Sequence, residues 1–142
     1  MGFSLIASAA ILAVTLFMAL EIITGALLPT LDGINTSYDQ LKNRLTDQLQ
    51  TDINITTVSR SVNGSNYDYN ITVQNTGSVT LKTENFAVLV NGTEYPASCS
   101  CTCLYPQNIG YFSLTNISGV GGAARIKIIS DNGIADYYTY TP

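Results

Sequence analysis

The sequence has 142 residues, a formal net charge of −4 and charged side chains at 11% of positions, with no histidine and no tryptophan. That length holds one domain plus an appendage, and bases this few exclude a nucleic-acid binder, which needs clustered Lys and Arg. An apolar content of 46% with nine tyrosines excludes a disordered chain.

From Phe3 to Leu31 the only charged residue is Glu21. A membrane helix needs about 20 apolar residues, and the run Leu5 to Leu28 supplies them, with twelve Leu, Ile, Val and Phe residues. At about −0.3 to −0.6 kcal/mol each they offset one carboxylate costing roughly 3 kcal/mol. A cleavable signal peptide would have a shorter apolar region behind a basic start. This run is longer and no Lys or Arg precedes it, so a retained anchor is expected, and the basic leader usual for archaeal filament subunits is not seen. Ile6 stands where N-myristoylation wants Ser or Thr. The first bases, Lys42 and Arg44, would by the positive-inside rule put the C-terminal flank in the cytoplasm. They lie beside Asp39 and Asp47, and the glycosylation argument below outweighs them. The expected organisation is a transmembrane helix over 1–30, a helical stalk over 31–50 and an extracellular β-sandwich over 51–142.

Apolar residues recur at Leu31, Ile34, Tyr38, Leu41, Leu45 and Leu49, which is one helical face. Extended backward, the stripe meets Leu28, Thr24 and Glu21, then Phe17, Val14 and Ala10. Glu21 is expected either to face a partner helix inside the bilayer or to carry its proton there, or snorkel outward. The stalk is expected to self-associate, pack on a related helix or dock on its own β domain. Pro29 and Gly33 predict a kink at the membrane exit.

From Thr51 the period becomes twofold. Ile53, Ile55 and Thr57 alternate with Asn54 and Thr56, and Tyr69, Ile71 and Val73 alternate with Asn70, Thr72 and Gln74. Segments 86–90 and 124–130 are strand-like. Asn91-Gly92 and Asn132-Gly133 predict type I′ hairpins. Asn63-Gly64 joins the first two strands, and Asn75-Thr76-Gly77 ends the second. About seven short strands predict an all-β, immunoglobulin-like antiparallel β-sandwich without the Cys–Trp–Cys framework of true immunoglobulin domains.

Six Asn-x-Ser/Thr triplets, at Asn35, Asn54, Asn63, Asn70, Asn91 and Asn116, exceed what this Asn and Ser/Thr content gives by chance. They predict an extracellular, glycan-bearing domain. Cys99, Cys101 and Cys103 form C-S-C-T-C. In a strand all three would share one side, too far apart for an unstrained disulfide. In a loop one pair could close, leaving a free or interchain thiol. With no histidine, no metal site is expected. Nor is there a base for a Ser or Cys nucleophile, or a phosphate-cradling loop, so no catalytic residue or cofactor is expected. Gly119, Gly121 and Gly122 read as a turn. The segment Ser98 to Gly110 is the candidate binding tip. Tyr137, Tyr138 and Tyr140 read as core and edge residues.

The opening Met1-Gly2-Phe3-Ser4 running into an apolar helix, with 52–55, 71–79 and 125–137, resembles the FlaF family of archaellum accessory proteins; FlaG and the archaellins share the helix-plus-sandwich plan. The C-S-C-T-C segment departs from the family pattern. The resemblance implies a non-enzymatic stator: a membrane helix anchors it while the β domain binds a surface-layer protein. It also implies partners among other archaellum components (FlaG-like, filament or motor) and a homo- or hetero-oligomer. The alternative is an archaellin- or pilin-like filament subunit, and a weaker third reading is a sugar- or metal-binding receptor.

Overall fold

The computed structural model describes residues 2–119 and 121–142. Met1, part of the opening motif, lies outside them. The chain divides into two compact units, Met1–Asn43 and Arg44–Pro142.

The apolar run forms helix α1 (Gly2–Ile22), passes through one π-helical turn (Ile23–Leu27) and continues as α2 (Leu28–Gln50). The resulting 49-residue helix is long and apolar enough to cross a membrane. Several of its hydroxyls are satisfied locally. The hydroxyls of Ser8, Thr15, Thr24 and Thr30 donate to carbonyls three or four residues back. Pro29 has no N–H to give the carbonyl of Gly25, and its ring crowds that turn. The helix absorbs the misfit by widening over Ile23–Leu27. The irregularity therefore falls one turn before Pro29; at Gly33 the helix runs on, with Ser37 Oγ donating to the Gly33 carbonyl at 2.8 Å.

The second unit is an antiparallel sandwich. One sheet has the order β1 (Ile53–Asn63), β2 (Asn66–Asn75), β8 (Ile109–Ile117), β6 (Ser98–Cys99). The other has β10 (Ala135–Tyr140), β9 (Ala124–Ile129), β4 (Ala87–Val90), β5 (Thr93–Tyr95). A two-stranded ribbon, β3 (Leu81–Lys82) with β7 (Cys103–Leu104), completes it. The sandwich predicted from alternation is the fold observed. The added strands are two-residue pieces, β3, β6 and β7, too short to leave a periodic signal. The core joins Ile53, Ile55, Val58, Ile71, Val73, Phe112 and Leu114 of the first sheet to Val88, Val90, Ile126 and Ile128 of the second. Each such side chain contributes about 1.5–3 kcal/mol when buried. A one-residue slip of β2 would expose Tyr69, Ile71 and Val73 together, so the register is fixed.

Two local expectations are corrected and one is met. Thr57 is exposed and Val58 takes its inward place, because a bulge between Ile55 and Thr57 inserts one residue against β2. Asn91 (φ 52°) and Gly92 (φ 86°) form the expected two-residue turn. Around Asn132-Gly133, however, only Gly133 has positive φ (83°). Gly133 N–H donates to the Ser130 carbonyl and Ser130 N–H to Ile134. That is a three-residue loop closed by a left-handed glycine, so the type I′ expectation fails there.

Candidate functional site

The densest polar constellation joins the end of α2 to the sandwich. Asn75 closes β2 and is wholly buried. Its Nδ2 donates to the carbonyls of Val79 (2.8 Å) and Leu104 (3.0 Å), and its Oδ1 accepts from Gly77 N–H at 3.0 Å. The turn thus shaped presents its backbone to the helix end. Thr76 and Gly77 N–H donate to the Asp52 carbonyl, and Ser78 N–H to that of Gln50. Thr76 Oγ1 adds a bond to Asp52 Oδ2 at 2.7 Å. A β-carbon on Gly77 would sit 2.5 Å from both Asp52 N and Gln50 O, so backbone meets backbone only because residue 77 is glycine. On the other side, Gln48 Nε2 donates to the Asn132 carbonyl and Asn132 Nδ2 to Thr51 Oγ1. Within the second unit, the last helical turn is therefore clamped between two loops. The sequence marked Asn75-Thr76-Gly77 as a strand end; that it also grips the helix C-terminus has no local signal.

The two sheets present unlike outer faces. Asn54, Ser59, Asn70, Thr72, Gln74, Tyr111, Ser113 and Thr115 point outward from the first, with the Asp68 carboxylate and no base beside them. From the second, Arg125, Lys127 and Tyr137 project around a hollow of about 590 Å³, also lined by Leu89, Asn91 and Gly92. Arg125 lies 4.9 Å and Lys127 5.2 Å from the Tyr137 ring centroid. Tyr138 and Tyr140 pack on the core as expected, whereas Tyr137 is half exposed. Arg60, unremarked in the sequence, is held over Tyr67 (4.4 Å) and Tyr140 (4.9 Å) and bonds the Gly122 carbonyl. A hydrogen bond with Tyr69 raises its guanidinium pKa. Gly121 and Gly122 form a bend; Val120 between the flanking glycines lies outside the described residues.

All six sequon asparagines are exposed. Asn35 lies on α2, Asn54 on β1 and Asn70 on β2. Asn63 Nδ2 is engaged by the Asp68 carboxylate. Asn91 and Asn70 use only their oxygens, accepting from Arg125 N–H and Ser113 Oγ. Asn116, at φ 62°, is a bulge residue whose N–H donates to Asp68 Oδ1.

The helix seam of Leu28, Leu31, Ile34, Tyr38, Leu41, Leu45 and Leu49 is exposed throughout. Glu21 is also exposed, and Thr24 spends its hydroxyl on the Leu20 carbonyl at 2.9 Å.

The segment Ser98 to Gly110 is not a free tip. Leu104 is fully buried, Thr83 N–H and Oγ1 donate to the carbonyls of Thr102 and Cys101, and Ser100 N–H donates to Tyr111. A bend at Ser100 brings Cys99 Sγ within 3.7 Å of Cys101 Sγ, while Cys103 belongs to β7. The three cysteines are unpaired and half-buried. Burial, then the hydrogen bond with Cys99, pushes the Cys101 thiol above its usual range. The thiolate is the reactive form, so iodoacetamide should label Cys101 in the folded chain more slowly at pH 7.5 than in urea, the rate rising beyond the usual thiol range. Peptide mapping by mass spectrometry that finds equal rates at pH 7.5 would refute the buried thiol.

No family model matches the chain. Over 146 aligned residues it is 29% identical to "Putative flagella-related protein F" of Methanocaldococcus jannaschii, covering 99% of this chain and 100% of that protein. The resemblance to FlaF is borne out. The FlaF-like sandwich also matches solved structures. The archaellum periplasmic stator protein FlaG from Sulfolobus acidocaldarius aligns with 63% of this chain and 99% of its own, at 19% identity and a TM-score of 0.52. A chain of the FlaF–FlaG stator complex from the same organism gives 0.51 over 62% of this chain and 87% of its own, at 18% identity. A chain of the archaeal flagellum of Methanospirillum hungatei gives 0.72 over 94% of this chain and 91% of its own, at 16% identity. At these identities the three structures speak for the fold alone, the two stator structures over 62–63% of this chain and the flagellum over 94%.

Proposed function

We propose that this chain is a non-enzymatic component of the archaeal motility machinery, anchored by its N-terminal helix, with the sandwich outside the cell gripping the surface-layer lattice as a stator. The observation that carries the reading is the end-to-end similarity to a flagella-related protein F, on a fold shared with archaellum stator proteins. A rotating filament needs a fixed element to push against. The clamp of Gly77 and Ser78 on Asp52 and Gln50 fixes the last turn of α2 within the sandwich unit. The exposed seam from Leu28 to Leu49, continued by Glu21, is where a FlaG-like helix or a second copy would pack. Exposed sequons at Asn54 and Asn70, on the outer face of the first sheet, would carry the glycans of an extracellular domain.

The test is binding of the full chain, in detergent micelles, to surface-layer sheets from its own organism at near-neutral pH. Saturable binding that unlabelled protein displaces is the expected result. No binding, together with recovery of the protein in sheared filaments, would replace the stator reading with that of a filament subunit.

A further inference from the structure

We infer that the outer face of the β10–β9–β4–β5 sheet, centred on Arg125, Lys127 and Tyr137, is a docking surface for an acidic patch on a partner protein. Four of the six basic residues belong to the sandwich sequence after Gln50, and two of these four, Arg125 and Lys127, occupy alternate positions of one strand. They therefore project from the same side, about 7 Å apart. Among the described residues neither is ion-paired; both contact the Tyr137 ring instead. Glu94, the carboxylate on this face, stands across Leu89 from Lys127, two strands or about 10 Å away. Asp136 is turned to the other side, where its Oδ2 accepts from Ile55 N–H at 2.7 Å. In a chain of net charge −4, this is a concentrated positive field, opposed on its own face by Glu94 without direct pairing.

The residue types fit protein recognition. Arg and Tyr dominate interface hot spots, and Tyr137 holds the two cations in place, which lowers the entropy lost on binding. The hydrogen bond from Arg125 N–H to Asn91 Oδ1 ties the strand to the Asn91-Gly92 turn that rims the hollow. Backbone groups of β4 and β9 are spent within the sheet, so recognition here runs through side chains rather than strand addition. The outer face of the other sheet, which carries the Asp68 carboxylate and no base, offers an acidic partner no such attraction. The inference rests on the stator reading for the partner's identity, but not for the charge of the surface that binds.

The full chain in detergent micelles is titrated with a glutamate decamer and, separately, with surface-layer sheets. The expected result is binding of both, weakened as salt rises from 50 to 300 mM. Arg125→Gln with Lys127→Gln should lower both affinities at least tenfold, and Tyr137→Ala should lower them severalfold. Ser59→Glu with Gln74→Glu, on the opposite face and outside any sequon, makes the same change of −2 in net charge and so controls for it. If the decamer binds through Arg125 and Lys127 but the sheets do not bind, the surface stands and the stator reading falls. If the sheets bind equally well to the Arg125/Lys127 variant, the inference falls and the stator reading stands. No decamer binding, or equal loss in the control variant, overturns the inference.

Discussion

Gly77→Ala should destabilise the sandwich by about 3 kcal/mol, lowering its Tm by roughly 12–24 °C. The φ of Gly77 is not in the left-handed region, where Gly64, Gly92 and Gly133 are found. By conformational entropy alone alanine would therefore be neutral or stabilising by about 0.4–1 kcal/mol. Space reverses the sign. The added carbon meets Asp52 N and Gln50 O at 2.5 Å, and Thr51 C at 3.1 Å. All three are backbone atoms, which cannot rotate away, so relief requires the turn to withdraw from the helix end. Withdrawal breaks the bonds from Thr76 and Gly77 to Asp52 and from Ser78 to Gln50. Ser78→Ala, which changes only an exposed side chain, should stay within about 0.5 kcal/mol. Near-UV circular dichroism suits the measurement, because eight of the nine tyrosines follow Gln50 and there is no tryptophan. Limited proteolysis should also cut the Gly77→Ala chain faster near Thr51. A variant as stable and as resistant as the parent would show that the turn does not hold the helix.

That clamp marks where reading the sequence stopped. Alternation gave β2 and strand-like composition gave β9; each buries one face on a continuous core, as the exposure of Arg125 and burial of Ile126 show. Gly92 and its Asn91 gave a turn type because both need positive φ. Short-range rules failed where a long-range contact decides. The bulge at Thr56 exists to bring Val58 inward, and nothing in the sequence near Thr57 announces it. Segment 98–110 read as irregular because β6 and β7 are two residues each, yet it carries the fully buried Leu104. Arg125, Lys127 and Tyr137 were visible as letters. Their convergence depends on the pairing of Tyr137 with Lys127 across β9 and β10, and no periodicity within either strand reports it.

Asn75 predicts the second large effect. Asn75→Ala leaves the Val79 and Leu104 carbonyls without their donor and removes an acceptor from Gly77 N–H. Each net hydrogen bond is worth about 1 kcal/mol, and more when the abandoned group stays buried. A loss of about 3 kcal/mol follows, because the residue has no exposed surface through which water could compensate. Asn75→Asp separates shape from hydrogen bonding. The introduced carboxylate matches the amide in size but points a charged acceptor at two carbonyl oxygens in a buried site. It is therefore easier to keep protonated in the folded chain than in the unfolded one, and its folded pKa lies above the unfolded value of about 3.9. A group with a raised folded pKa contributes stability below the unfolded value and loses it as pH rises through the folded value. Relative to the parent, the Asn75→Asp chain should thus be weakest at neutral pH and recover part of its deficit near pH 4, where one carboxyl O–H can donate to Val79 or Leu104. Asn75→Ala should show no such recovery. Urea titrations at pH 4 and pH 7 decide the matter: a pH-independent deficit for Asn75→Asp would mean that the carboxyl escapes to solvent and that the turn is looser than its hydrogen bonds imply.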